Sequence, residues 1–248
     1  MPQLSDLSLN NRRVLLRVDF NVPMNLDGQI INDQRIQACL PTIHHLLDQG
    51  ASLVIMSHLG RPKGEVVKSL SLKPIAARLA GLLGQEVKFA NDCVGDVIEA
   101  TVEGLQAGEV LLLENLRFHK EETAGDPGFA KQLAKLGDCY VNDAFGTAHR
   151  AHASTSVMAA AFPGQAAFGL LMAKEITQAD HVIKQAKSPS LAIVGGAKVS
   201  SKIDILDRLI DRVDGILIGG GMTFTFIKAL GGNVGDSLVE DDYIATAQ

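Results

Sequence analysis

Residues suited to binding an anion recur in this chain at one kind of place, directly after short apolar runs. Asp19 and Asn21 follow residues 13–18, within Arg17-Val18-Asp19-Phe20-Asn21-Val22-Pro23. His58 and Arg61 follow residues 52–56, in the loop Ser57-His58-Leu59-Gly60-Arg61-Pro62-Lys63-Gly64. Glu114, Asn115 and Arg117 follow residues 109–113, and Asn142, Asp143, Gly146, Thr147, His149 and Arg150 follow residues 139–141. Arg35 opens a helical pattern at the same edge. Each residue alone has a bland role open to it: His58 can cap a carbonyl and Arg61 can be solvated surface. Scattered surface arginines do not recur at one topological position, so the recurrence favours a shared site. Guanidiniums with an imidazole and an asparagine suit phosphate or carboxylate, because the planar fork of Arg matches both. Asp19 is the odd member. It can orient the arginines or accept a bond from a substrate hydroxyl, and capping a turn fits its spacing equally well.

Later in the chain, two glycine-rich turns follow apolar runs: Gly195-Gly196-Ala197-Lys198-Val199-Ser200-Ser201-Lys202 and Gly219-Gly220-Gly221-Met222-Thr223-Phe224. Glycines there let the backbone approach a ligand, and a following helix N-terminus favours anions. They serve equally as tight strand-to-helix turns, and neither fits the P-loop or dinucleotide spacing. Lys198 and Lys202 strengthen the ligand reading, since residues four apart share a helix face and reach one polyphosphate. His149 and His152 lack an evident third metal ligand, which favours packing or hydrogen bonding. His44-His45, in mid-helix, reads as structural.

The elements that must carry these residues alternate between short β-rich runs and helical patterns, as in an α/β fold with parallel sheets. Strands are predicted at 13–18, 53–56, 87–89, 109–113 and 139–141, with helices at 33–49, from Ser71 to Gly84, at 94–105 and at 129–136. A long amphipathic helix covers 170–186, and Lys187-Ser188-Pro189-Ser190 then interrupts the pattern. The rhythm restarts with strands at 191–194 and 215–218 and helices at 200–212 and from Met222. The domains read as 1–169, a connector at 170–188, and 189–248. The last part supplies only two clear strands, and two parallel strands leave two unpaired edges. The expectation is two Rossmann-like sheets, the second incomplete, in a sequence that ends before its second domain does.

Bulk properties narrow the function. A formal net charge of -5 argues against nucleic acid or an anionic membrane as partner, while leaving room for a local cationic pocket. Trp is absent and aromatics are 4%, so base-stacking platforms are not expected. Cys39, Cys93 and Cys139 lack paired spacing and read as buried thiols of a reducing cytosol. No signal peptide or membrane-length apolar run is evident.

With these motifs assembled, the chain resembles the phosphoglycerate kinase family, through the Asp19, His58, Glu114-Asn115-Leu116-Arg117-Phe118 and Asn142-to-Arg150 segments, the Gly-Gly-Ala-Lys turn and Gly219-Gly220-Gly221-Met222. The resemblance implies a cytoplasmic, monomeric glycolytic kinase acting on 3-phosphoglycerate or 1,3-bisphosphoglycerate and ADP or ATP. It places the phosphoglycerate on Asp19, Phe20, Asn21, Arg35, His58, Leu59, Gly60, Arg61, Arg117 and Arg150. It places the nucleotide on Gly196, Lys198, Lys202, Gly219 and Gly220, with Arg35, Lys198 and Lys202 as the catalytic cations. Magnesium would accompany the nucleotide, with its ligand in a further segment and none in this chain. Residues 155–163 lack the glycine usual in the family, and Ser201 stands where many relatives have Asp. The alternative is a non-catalytic, truncated phosphoglycerate-binding protein, which a true stop after Gln248 would favour. A nicotinamide-dependent oxidoreductase is disfavoured by the missing fingerprint.

Overall fold

Apolar residues on successive positions of a strand point to opposite faces of a sheet, so a strand apolar throughout needs cover on both sides. The computed structural model, which describes residues 3–184 and 187–248, meets that need in the first of two units, Met1–Glu175 and Ile176–Gln248. In chain order the first unit contains β1 (Arg13–Arg17), α1 (Gln34–Asp48), β2 (Ser52–Met56), α2 (Lys73–Leu83), β3 (Val87–Phe89), α3 (Asp96–Glu103) and β4 (Val110–Leu112). There follow α4 (Lys120–Ala124), α5 (Pro127–Ala134), β5 (Cys139–Asn142), α6 (Phe145–Ala148), β6 (Ala166–Phe168) and the start of α7 (Leu170–Lys184).

The six strands form one sheet in the order β3-β4-β2-β1-β5-β6, and every pairing is parallel. Val14, Leu16, Leu53 and Ile55 pack on one face with Ile36, Ile43 and Leu46 of α1. Leu15, Val54, Met56 and Tyr140 pack on the other with Ile98 of α3 and Phe129 and Leu133 of α5. Each such side chain contributes roughly 1.5–3 kcal/mol on burial. Local signals set the helix ends. Gly84 closes α2 at φ +67, and the Asp126 carboxylate accepts the Phe129 N–H at 2.7 Å to start α5 behind Pro127. Leu72 is the N-cap residue of α2, and Ser71 just before it still caps the helix start: its hydroxyl accepts the Lys73 N–H at 3.2 Å and donates to Glu114 at 2.6 Å.

The chain leaves β1 toward β2, builds β4 and β3 beyond it, and returns to lay β5 on the other side of β1. Open α/β sheets bind ligands at such a reversal, outside the carboxyl ends of the strands. The end of β1 is therefore the middle of the crevice. Three elements of this unit are absent from the sequence-based assignment: the short, Ala-rich β6 and the short helices α4 and α6.

The second unit holds the rest of α7, β7 (Leu191–Gly195), α8 (Ile203–Ile210), β8 (Gly215–Gly219), α9 (Met222–Ala229) and α10 (Ile244–Ala247). Its sheet has two parallel strands, and its buried cluster is small, built on Val199, Leu206 and Met222. The helix predicted from Ser200 begins only at Ile203, with Lys202 as its N-cap residue. Lys198 and Lys202 thus do not share a helix face. Ala186, the expected end of the connector helix, lies outside the described residues. The division into units falls within that connector. Among the described residues no helix is long and apolar enough to cross a membrane.

Candidate anion-binding site

The site starts from Arg17, the last residue of β1 and wholly buried. Its Nε donates to Ser154 Oγ at 2.9 Å, one terminal nitrogen donates to the Val18 carbonyl, and the other lies 3.3 Å from His58 Nδ1. A guanidinium only donates, so His58 Nδ1 must accept and the ring proton sits on Nε2. Burial first, then the charges of Arg17, Arg117, His152 and Arg35, pull the His58 pKa down to about 2. The ring is neutral, and the 3.9 Å approach of Nδ1 to Asp19 is not an ion pair.

Two asparagines hold the loop that carries His58 and Arg61. Asn21 Oδ1 accepts the Gly60 N–H at 2.8 Å, while Asn115 Nδ2 donates to Leu59 O at 2.8 Å and Leu70 O at 2.9 Å. Gly60 adopts φ +63 against the Leu70 side chain, a conformation that favours glycine. Its carbonyl accepts from Arg117 at 2.8 Å. Phe20 and Leu59 are core residues. Their side chains pack beneath the site, and the Phe20 N–H is tied to Ser57 Oγ at 2.9 Å.

Above this frame, Arg61, Lys63, Gly64, Arg117, Thr123, Arg150 and His152 line a cavity of about 410 Å³. Arg117 is buried, and its Nε has no hydrogen-bond partner. Burial and the neighbouring Arg17 and Arg150 lower its pKa, the cost of gathering cations in a buried place. A second cavity, of about 470 Å³, has Asp19, Asn32, Arg35, Phe145 and Gly146 among its walls. There Arg35, with its side chain 53% exposed, donates to Asp19. Asp19 therefore orients an arginine and, by accepting the Asn21 N–H at 3.2 Å, also caps the turn after β1, two of the three roles open to it in the sequence.

The structure brings Asp19, Asn21, Arg35, His58, Arg61, Arg117 and Arg150 to one end of the sheet. Three contributors went unmarked as site residues in the sequence: Arg17, Lys63 and His152. The signal available for Arg17 was a charge at the end of an otherwise apolar strand. His152 gave none, because its burial comes from packing distant in sequence.

In the second unit the two glycine turns meet backbone to backbone. A Cβ on Gly220 would come within 2.7 Å of Gly196 O, and the Met222 N–H donates to that carbonyl at 2.9 Å. Lys202 lies beside Gly196, whereas Lys198 is exposed. Glu240, the acidic neighbour of this turn, is engaged by the Ser200 hydroxyl at 2.6 Å.

Among the described residues one group of His, Cys, Asp or Glu gathers as metal ligands do: Asp92, Cys93 and His119. Cys93 is buried and donates to the Glu114 carbonyl at 2.9 Å, and His119 Nε2 is already 2.6 Å from Asp92. Burial beside Asp92 and Glu114 holds the thiol protonated. Magnesium takes hard oxygen ligands, so this group does not fit it.

A family model described as phosphoglycerate kinase matches residues 4–248. The phosphoglycerate kinase of Moorella thermoacetica is 56% identical over 245 residues, covering 99% of this chain and 62% of the relative. That of Dictyoglomus turgidum is 54% identical, covering 99% and 61%. Among solved structures, phosphoglycerate kinase from Coxiella burnetii is similar with a TM-score of 0.83 and 41% identity, covering 100% of this chain and 61% of that one. The Pyrococcus horikoshii enzyme gives 0.86 and 36%, covering 100% and 64%. The chain thus spans about 62% of the length of the first of these curated relatives. With its parallel sheet, its ring of strand-end cations and a match along nearly all its length, this chain belongs to the phosphoglycerate kinase family.

Proposed function

We propose that the protein binds 3-phosphoglycerate and 1,3-bisphosphoglycerate as part of a glycolytic kinase that exchanges a phosphoryl group between 1,3-bisphosphoglycerate and ADP. The carrying observation is the cavity walled by Arg61, Lys63, Arg117, Arg150 and His152, with a buried Arg117 Nε left unbonded. A phosphate offers these cations a counter-charge and Arg117 Nε an acceptor at once. Residues 1–169 form the phosphoglycerate-binding domain, 170–188 the connector, and 189–248 the opening part of a nucleotide-binding domain.

The acceptor of the phosphoryl group is a carboxylate, ionised at neutral pH, so no general base is required. A neutral His58 is consistent with that. Through Nε2–H it donates a hydrogen bond to the anion and takes no proton from it. Asp19 and Asn21 hold Arg35 and the His58 loop in place. Arg35 offsets charge on the transferring group, whose chemistry is mostly positioning and electrostatics. Gly196, Gly219 and Gly220 offer close backbone approach to a nucleotide, with Lys198 and Lys202 on its phosphates. Magnesium would arrive with the nucleotide; the cluster of potential ligands found among the described residues, Asp92, Cys93 and His119, does not suit it. The same reading makes the protein a cytoplasmic monomer acting on small molecules, with neither nucleic acid nor membrane as partner.

Calorimetry tests the binding half. The expected outcome is saturable 3-phosphoglycerate binding, with Kd raised about tenfold or more in each of Arg35→Ala, Arg61→Ala and Arg117→Ala, as for loss of a charge-assisted contact. Unchanged affinity in all three removes the cationic crevice from the account. A coupled assay with ADP and 1,3-bisphosphoglycerate tests the other half. The open second unit supports little or no turnover by the 248-residue chain, and robust ATP formation overturns that expectation.

A further inference from the structure

We propose that Glu122, which lines neither of the two cavities of the site, is the positioning residue of the phosphoglycerate site, holding Arg17, and through it His58, in register. Arg17 and Glu122 are both wholly buried, one at the end of β1 and the other on α4. A guanidinium keeps its charge at every pH the fold survives, so a buried one needs an anion nearby. Glu122 is that anion, although the two do not touch: Oε1 lies 4.0 Å from the guanidinium.

Ser154 bridges them. Its hydroxyl accepts from Arg17 Nε at 2.9 Å and donates to Glu122 Oε1 at 2.6 Å, and its N–H donates to Oε2 at 2.9 Å. Both carboxylate oxygens are thereby used. The terminal nitrogen of Arg17 nearest Glu122 is also the one that reaches His58 Nδ1, at 3.3 Å, and so fixes which ring nitrogen is left to face the anion. The residue after Ser154, Thr155, ties down the segment bearing two other cavity residues. Thr155 Oγ1 donates to the Arg150 carbonyl at 2.8 Å and to that of His152 at 3.1 Å. Gly125, which ends α4 at φ +68, lies so close to this segment that a Cβ there would sit 2.3 Å from Ala151 O. One carboxylate, acting through one hydroxyl, thus holds Arg17 and, through it, sets His58. A glutamate serving only to fill the core would not require both oxygens to be aimed at Ser154.

The inference rests on the proposed phosphoglycerate site, and the experiment separates the two. The ¹⁵N-labelled 248-residue chain is compared with Glu122→Gln, Glu122→Asp and Ser154→Ala, reading solvent exchange of the Arg17 Nε–H, the ¹⁵N shift of His58 Nδ1, and 3-phosphoglycerate Kd. Glu122→Gln keeps the volume but removes the charge and one of the two acceptors. It is expected to release the Arg17 Nε–H to fast exchange, move the His58 Nδ1 signal toward that of an unbonded nitrogen, and raise Kd about tenfold, as for a group coupled within a network. Glu122→Asp, which restores the carboxylate, is expected to recover much of the Arg17 protection. A folded Glu122→Gln variant with a protected Arg17 Nε–H and unchanged Kd overturns the proposal. Should that variant fail to fold, Ser154→Ala decides: it leaves both charges and removes the bridge, and unchanged Arg17 and His58 signals there overturn it equally. If the wild-type chain does not bind 3-phosphoglycerate, the site reading fails on its own, and the Arg17 and His58 signals still decide whether Glu122 holds them.

Discussion

β2 and β7 are both five-residue apolar strands that run into a loop rich in glycine or charge. Every residue of β2 is buried, whereas Leu191 and Ile193 of β7 are 61% and 76% exposed, and Leu217 of its partner strand is 53% exposed. Composition does not separate them; neighbours do. β2 has a strand on each side and helices on both faces, while β7 has β8 alone. The anion-binding features differ in the same way. In the first unit, side chains are aimed by a buried network, with Asn21, Asn115, Ser154 and Glu122 behind the cations. In the second, two glycine turns hold each other through backbone contacts and carry lysines that make no comparable network among the described residues.

The largest effect expected from this contrast is in amide exchange. Amides of β1, β2 and β5 should exchange at least about a thousandfold more slowly than those of β7 and β8, because protection follows local packing. Equal protection measured by mass spectrometry would break the comparison. A pair of substitutions sharpens it: Leu53→Ala should cost about 2–5 kcal/mol in urea unfolding, as for a buried leucine. Ile193→Ala, at an exposed position, should stay within about 0.5 kcal/mol.

A third effect concerns pH. The unfolded state takes a proton on His58 below about pH 6.5, whereas the folded ring does not until about pH 2. The unfolded state therefore binds more protons in that window, and stability falls as pH drops through it. At pH 5 this group should have cost about 2 kcal/mol relative to pH 7. His58→Gln should flatten the stability profile of the first unit between those pH values. An unaltered slope would mean that the imidazole is not held neutral by burial and its cationic neighbours.

Much of the first unit was legible because its logic is local. Apolar runs such as residues 52–56 announce strands, and polar residues after them mark the crevice. β6, with the sequence Ala-Ala-Phe, lacks the β-branched residues that would distinguish it, and it forms by pairing with β5. Glu122 was illegible for a related reason. In the run Lys-Glu-Glu-Thr-Ala, nothing distinguishes the acid that faces the core from the one that does not. The misplacement of Lys198 and Lys202 on a common helix face came from extending α8 back to Ser200, where the chain forms a turn. The family resemblance named Phe20 and Leu59 alongside the polar residues, and their side chains prove to be the floor of the site.

The bridge through Ser154 also bears on how the site comes into being. Ser154 is 32 residues from Glu122 but 137 from Arg17. Closing a long loop costs more chain entropy than closing a short one, and contacts distant in sequence tend to form late. During synthesis, from the amino end onward, β1 and β2 are available early, while Arg17 stays hydrated until residue 154 has been made and β5 has docked beside β1. A partly folded chain therefore has arginines without a frame, and the proposed anion site is assembled only with the last strands of the sheet.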